Sequence, residues 1–338
     1  MISVGIIGEG KMGTNLFYYL LEMDLKLTLI CSPEADEDRI RNQLKKKLNR
    51  SAEAGIIDED RVKKILQSVR ISKKIEDISS CDLIIESITE DAEIKKKLFL
   101  QLDRFASPEC ILTSNSSSII PSRLVPAEQR RSLMAGLHFF YPVALKNIVE
   151  IIRMPETSQG TLGKIGAFLK TIHRDPILLD ESNSFILNRI YLEFQNEGFL
   201  LVNAKEATIS RVDRIVRDHF FPQGIFEFFD SVGLDVMLAS IKNYTMDDPG
   251  RARYQPLILH LEKLVSEEKL GNKTGTGFYQ GGVNDEPGDH NGDEALILKL
   301  RESYATAFRK FSASSGIPPA ALKLLMDEYF GCDSPFII

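Results

Sequence analysis

The run Gly8-Glu9-Gly10-Lys11-Met12-Gly13 constrains this chain more than any other feature of it. It follows a short apolar run at residues 2–7 (ISVGII) and opens an apolar-periodic segment from about residue 12 to 23. Strand, glycine turn and helix in that order commit the N-terminus to an α/β layout. Gly8 permits the tight turn, Gly10 lets a phosphate approach the backbone, and Gly13 lets the helix pack on the strand. The helix start then offers N–H groups to the phosphates of a dinucleotide. Gly8, Gly10, Met12 and Gly13 are therefore candidate cofactor residues.

The alternation continues. Residues 25–31, 69–72, 83–87, 110–115, 134–140 and 147–153 read as strands, with helical patterns between them, notably 91–104 and 158–172, and a basic helical hairpin up to about residue 68. Such alternation implies an α/β fold with a Rossmann-type doubly wound sheet. From about residue 183 the pattern turns helical. The expectation is a dinucleotide-binding domain over 1–182 and an all-α C-terminal domain over 183–280, followed by a Gly- and Asp-rich linker at 281–294.

Composition narrows the class. The 338 residues suit about two domains. Lys and Arg number 42 against 48 Asp and Glu, so the net charge is −6, which argues against nucleic acid as a partner. No run approaches the ~18–20 apolar residues of a membrane span. The N-terminus lacks a basic leader and a small-residue cleavage site, so no signal peptide is expected. Cys31, Cys81, Cys110 and Cys332 form no CxxC pair and no histidine lies near them. We therefore expect reduced thiols, a cytoplasmic setting and no metal site.

One expected residue is missing. The second strand of a dinucleotide-binding domain should end near an acidic side chain for the ribose diol of NAD. Here it ends at Cys31, followed by Ser32 and Pro33. Ser32 can bond a ribose hydroxyl or a 2′-phosphate, and Glu34, Asp36 and Arg39 lie just beyond. NAD is the expected cofactor, with NADP left open by Cys31. Residues 39–50 (RIRNQLKKKLNR) carry six basic residues and no acidic one. Ile40, Leu44 and Leu48 form an apolar stripe, and Arg39, Lys46 and Arg50 share another face. That face reads either as a solvated helix surface or as a patch for a phosphate-rich substrate.

Three later segments carry the chemistry: SNSSSI (114–119), GLHFFYPVALKNIVE (136–150) and SFILNRI (184–190). Oxidising a secondary alcohol needs a base for the hydroxyl proton and an acceptor for the hydride. His138 is the best base, and Glu150 on the next strand can bond its other ring nitrogen. Ser117 and Asn188 can hydrogen-bond a substrate oxygen. Taken singly, His138 reads as a core histidine, Glu150 as a strand-edge carboxylate, Ser117 as a cap and Asn188 as a polar residue on an apolar helix.

Taken in order, these segments resemble the L-3-hydroxyacyl-CoA dehydrogenases of fatty-acid β-oxidation, which carry SNTSS-, GxHFFNPV- and FxxNR-type motifs. The resemblance runs through FPQGIFEFFDSVGLD (221–235) and KTGTGFY (273–279) and covers about residues 1–280. It implies NAD-dependent interconversion of an L-3-hydroxyacyl-CoA and a 3-ketoacyl-CoA, in a cleft between the two domains, with Ser117, His138, Glu150 and Asn188 as the active-site set. It also places Glu90, Lys95, Asn115, Ser117, Tyr141 and Lys273 near the cofactor and Arg50 near the CoA nucleotide. Four positions depart from the family pattern: Cys31, Tyr141, Asn183-Ser184 before the FxxNR helix, and Gln223-Gly224-Ile225-Phe226. Two alternatives stay open, a dehydrogenase of the same fold for a non-CoA hydroxy acid or sugar acid, and a non-catalytic relative.

Residues 295–338 extend beyond the resemblance. At an offset of about 110 they resemble 185–228, Phe185-Ile186-Leu187 meeting Leu296-Ile297-Leu298 and Gly224-Ile225-Phe226 meeting Ser334-Pro335-Phe336. They read as a degenerate half-repeat of the helical domain. The resemblance implies a homodimer; a tail packed on residues 185–235 would instead favour a monomer.

Overall fold

The computed structural model describes residues 1–281 and 292–331. Most of the expected linker and the segment Ser334-Pro335-Phe336 lie outside the described residues. The chain divides into two units. One comprises Met1–Ser116 with Ile120–Ser184, the other Ser117–Ile119 with the residues from Phe185 on.

The first unit is built on one eight-stranded sheet. In chain order it runs β1 (Ser3–Ile7), α1 (Lys11–Leu20), β2 (Lys26–Ile30), α2 (Glu37–Glu53), α3 (Glu59–Ser68), β3 (Val69–Ser72), β4 (Leu83–Glu86), α4 (Ala92–Phe105), β5 (Ile111–Ser114), β6 (Met134–Phe139), β7 (Ile148–Arg153), α5 (Gln159–Thr171) and β8 (Asp175–Asp180). The strand order is β3-β2-β1-β4-β5-β6-β7-β8. All neighbours are parallel except β6 and β7. The order reverses between β1 and β4, and ligands of open α/β sheets bind outside the carboxyl ends of strands at such a point.

The central strands are nearly continuous apolar runs because helices cover both faces. β4 and β5 are buried throughout, and Phe17, Leu20, Leu44, Leu48, Val62 and Ile65 from α1–α3 pack into the same core. Asp36 and Asp58 start α2 and α3 by accepting the N–H of Arg39 and Arg61. The expected stripe on α2 is inward-facing: Leu44 and Leu48 are buried and Ile40 half-buried. The strand the sequence reading missed is β8. It is an edge strand, mostly exposed, with Pro176 near its start, so it carries no buried run.

The second unit is helical: α6 (Ile186–Asn203), α7 (Ile209–His219), α8 (Ile225–Val232), α9 (Leu234–Thr245), α10 (Gln255–Ser266), α11 (Asp293–Ser315) and α12 (Pro319–Phe330). α6 is buried along most of its length. The tail packs on it. Ser303 Oγ of α11 donates to the Glu193 carbonyl, the Tyr304 ring meets Phe194 at 6.2 Å, and Phe330 of α12 meets Tyr191 at 4.7 Å and Phe221 at 3.9 Å. Arg211 and Arg214 of α7 hold Asp293 at the start of α11. Among the described residues no helix is long and apolar enough to cross a membrane, and no His, Cys, Asp or Glu group is placed to hold a metal.

Candidate active site

The glycine loop lies at the carboxyl end of β1, beside the point where the strand order reverses. Gly8 has φ of +109°, which only glycine adopts without strain. A side chain at Gly13 would put its Cβ 2.1 Å from the Gly8 carbonyl oxygen, so the close seat of α1 requires glycine there. A Cβ at Gly10 would meet no atom within 4 Å, and no side chain caps α1. The loop thus presents open backbone and uncapped helix N–H groups, a fit for a pyrophosphate. Met12 is half-buried against the core behind it.

Beside the loop, the carboxyl ends of β4 and β5 are tied by polar side chains. Glu86 is wholly buried, and its carboxylate accepts from Lys95 Nζ at 2.5 Å, Ser114 Oγ at 2.6 Å and the Ile88 N–H at 2.7 Å. Lys95 also lies 3.5 Å from Glu90, which accepts from Ser116 Oγ at 2.6 Å. Lys95 is 1% exposed and its ammonium is committed to two carboxylates, so it braces Glu90 from below rather than reaching outward. Removing one partner of such a pair leaves an uncompensated buried charge, at a cost of about 3–5 kcal/mol. Asn115 also ties strands: its Oδ1 accepts from the Phe139 N–H at 2.8 Å, and its Nδ2 donates to Ser87 Oγ at 3.3 Å.

His138 and Glu150 face each other across β6 and β7, which pair antiparallel in that register. His138 Nδ1 lies 2.8 Å from Glu150 Oε2. Both are buried, and Glu150 Oε1 has no hydrogen-bond partner among the described residues. The carboxylate makes Nδ1 the protonated nitrogen, which turns Nε2 to proton exchange. The Phe140 ring packs 4.5 Å from the imidazole. β6 runs parallel to β5, so the pair sits on the same carboxyl edge of the sheet as the glycine loop.

Ser117 and Asn188 belong to the second unit and are joined there. Asn188 Nδ2 donates to Tyr244 Oη at 3.1 Å, and Tyr244 Oη donates to the Ser117 carbonyl at 2.6 Å. From the tail, Tyr329 Oη donates to Asn188 Oδ1 at 2.9 Å. Asn243 Nδ2 donates to Ser118 Oγ at 2.9 Å, holding the same short segment on α9.

The remaining predicted residues fall as follows. Tyr141 is 49% exposed, with Lys11 Nζ 4.3 Å above its ring. Lys273 pairs with Asp235 at 2.7 Å. Lys46 and Arg50 line one surface hollow on α2 with Gln43, Lys47, Ser51 and Ile56, whereas Arg39, about two turns earlier, does not line it. Ser32 turns back to the glycine loop: its N–H and Oγ donate to Glu9 at 2.9 and 2.7 Å.

The model of the 3-hydroxyacyl-CoA dehydrogenase NAD-binding domain matches residues 3–182, and that of the same family's C-terminal domain matches 185–281. The chain belongs to the 3-hydroxyacyl-CoA dehydrogenase family. It is 33% identical over 287 residues to the mitochondrial hydroxyacyl-coenzyme A dehydrogenase of Sus scrofa, covering 82% of this chain and 90% of that one. The crystal structure of M. tuberculosis FadB2 superposes with a TM-score of 0.71 at 28% identity, over 82% of this chain and 98% of that one. The dehydrogenase part of multifunctional enzyme 1 from C. elegans, at 22% identity and a TM-score of 0.57, shares the fold over 97% of this chain and 78% of that one, a span that includes α11.

Three residues that the sequence reading did not single out lie against the predicted ones: Tyr244 and Tyr329 on Asn188, and Glu9 on Ser32. Tyr244 and Tyr329 reach the motif residues from distant helices and leave no local pattern. Glu9 had a signal: a carboxylate inside the glycine motif of a 3-hydroxyacyl-CoA dehydrogenase whose second strand has lost its acid at Cys31.

Proposed function

We propose that this dehydrogenase interconverts an L-3-hydroxyacyl-CoA and the matching 3-ketoacyl-CoA with NAD, in cytoplasmic fatty-acid metabolism. The observation that carries the proposal is the buried His138–Glu150 pair at 2.8 Å on the carboxyl edge of the sheet. Bound NAD supplies the acceptor for the hydride that leaves the substrate's C3. His138 Nε2 takes the C3 hydroxyl proton as the carbonyl forms, and returns it in the reductive direction. Glu150 orients the ring through Nδ1–H and stabilises the imidazolium that results. Ser117 and Asn188 donate to substrate oxygens. Asn188 is oriented for this because Tyr329 holds its Oδ1 and thereby assigns Nδ2 as the donor.

The direct test is oxidation of NADH with acetoacetyl-CoA, set against free acetoacetate. CoA-dependent turnover is expected. Turnover of the free acid at equal efficiency would move the assignment to non-CoA hydroxy acids, and no turnover of either would favour a non-catalytic role.

Lys46 and Arg50 are the better candidates for the CoA phosphates, because they share a hollow. Replacing both with Ala should raise KM for acetoacetyl-CoA by about 5- to 20-fold with kcat preserved. Arg39→Ala should change it less. An unchanged KM in the double variant would place the CoA nucleotide elsewhere. Since α11 and α12 cover α6 within one chain, a monomer is expected, and light scattering of the full chain that reads a dimer would oppose this.

A further inference from the structure

In this fold an acidic side chain at the carboxyl end of β2 reads the adenine ribose by accepting from its vicinal hydroxyls. β2 offers none here. Cys31 is buried, and its thiol is pushed up to about 11 by burial and by the neighbouring Glu9 and Glu37 carboxylates, so it stays neutral. We propose that Glu9, carried on the glycine loop instead of on β2, takes this role and makes the chain select NAD over NADP. The inference deepens the NAD reading above and rests on it.

The loop is pinned so that Glu9 can do this. The Gly8 N–H donates to the Ile30 carbonyl at 2.9 Å, and Thr14 Oγ1 donates to the Glu9 carbonyl at 2.7 Å. The backbone on either side of the Glu9 side chain is therefore fixed to β2 and to α1. The side chain then reaches past Cys31 to the next residue. Ser32 N–H donates to Oε2 at 2.9 Å and Ser32 Oγ to Oε1 at 2.7 Å. The carboxylate is thus presented where the missing acid of β2 would stand.

Each carboxylate oxygen has two lone-pair directions, and Ser32 engages one oxygen with each of its two donors. The acceptor capacity that remains on the carboxylate is what the ribose hydroxyls can use. The charge is secured as well. Burial works to raise the Glu9 carboxyl. The bonds from Ser32, Glu9's own N–H and the field of Lys73 outweigh it and hold the group below the ordinary range. Glu9 is therefore ionised throughout the neutral range. A 2′-phosphate, at roughly −1.5 to −2 charge, would meet this anion directly. The cation nearby, Lys73, would favour that phosphate once Glu9 were neutral.

The experiment is calorimetric titration of the full chain with NADH and with NADPH, for the parent, Glu9→Gln and Glu9→Ala. Gln keeps the size of the side chain and removes its charge; Ala removes the Ser32 bonds too. The parent should prefer NADH by at least about tenfold. Both variants should bind NADH about 10- to 100-fold more weakly, with the preference collapsing toward parity or past it. Unfolding midpoints near the parent's would confirm that both variants remain folded. An unchanged preference in the variants, or a parent that binds the two nucleotides equally, overturns the role of Glu9 and leaves nucleotide binding intact. A parent that binds neither overturns the NAD reading and the proposal with it, a result distinct because it needs no variant.

Discussion

His138 and Asn188 are held in opposite ways. Glu150 lies 12 residues along from His138, and the antiparallel register of β6 and β7 sets the two side chains face to face. The partners of Asn188 lie 56 and 141 residues away, on α9 and α12. Two phenol hydroxyls brought together by helix packing do there what a strand ladder does for the histidine. A ladder is cooperative and survives the loss of one side chain. An amide clamped between hydroxyls is only as well placed as the helices that carry them.

The histidine end of this comparison predicts the largest effect. His138→Ala should lower kcat by about 10³- to 10⁴-fold, while the ladder keeps the unfolding midpoint within a few degrees of the parent. Near-normal turnover would refute the base assignment. Loss of cooperative unfolding would refute the claim that the ladder holds this region without the pair. Glu150→Gln comes next. The amide fills the same space but lacks the charge that stabilises the imidazolium, so kcat should fall by about 10²- to 10³-fold. A loss under threefold would reduce Glu150 to a packing group.

The same contrast explains what could be read in advance. The glycine turn, the central strands and the His138–Glu150 pair are local or periodic: each needs only a strand run, a glycine spacing or neighbouring strands. The family resemblance pointed to Lys95, but its burial was not legible, because Glu86 looks like an ordinary strand-end residue in LIIES. β8 was hidden because an edge strand needs no continuous apolar run. Tyr244 and Tyr329 were hidden because their meaning lies in which helices pack, and periodicity is silent on that. Cys31 was legible as a loss. Glu9 stood in view in the glycine motif, but its approach to Ser32 did not, since α1 and β2 separate the two in sequence.

The asparagine end predicts a smaller, more diagnostic effect. Tyr329→Phe keeps the ring on α12 and removes only the hydroxyl that holds Asn188 Oδ1. We expect kcat to fall about 3- to 10-fold with little change in the unfolding midpoint. In an Asn188→Ala background the same substitution should do nearly nothing, because the group it positions is gone. Additive losses would mean that Tyr329 acts through packing alone. The tail would then be a cover for α6 with no part in placing the site.

A further side chain held across helices gives the smallest effect on turnover and a test of its own. Asp213 on α7 accepts from the N–H groups of Phe226 and Glu227 at the start of α8, both at 2.9 Å, and from Tyr279 Oη at 2.8 Å. Burial nevertheless outweighs these bonds and raises its carboxyl to about 6. A raised folded-state value means that the native protein holds this proton more tightly than the unfolded chain. The stabilisation is fully present below about pH 4 and is lost as the pH rises through about 6. Asn cannot ionise, so Asp213→Asn escapes this loss, although it gives up an acceptor at every pH. The difference in unfolding free energy should therefore move in favour of the variant between about pH 4 and pH 7, by up to about 3 kcal/mol. Urea unfolding at several pH values reads this directly, with kcat at neutral pH within about twofold of the parent. A difference that stays flat across the range would show that the three donated bonds hold Asp213 as a carboxylate without penalty. Side-chain clamps between helices would then be as robust as the strand ladder that holds His138.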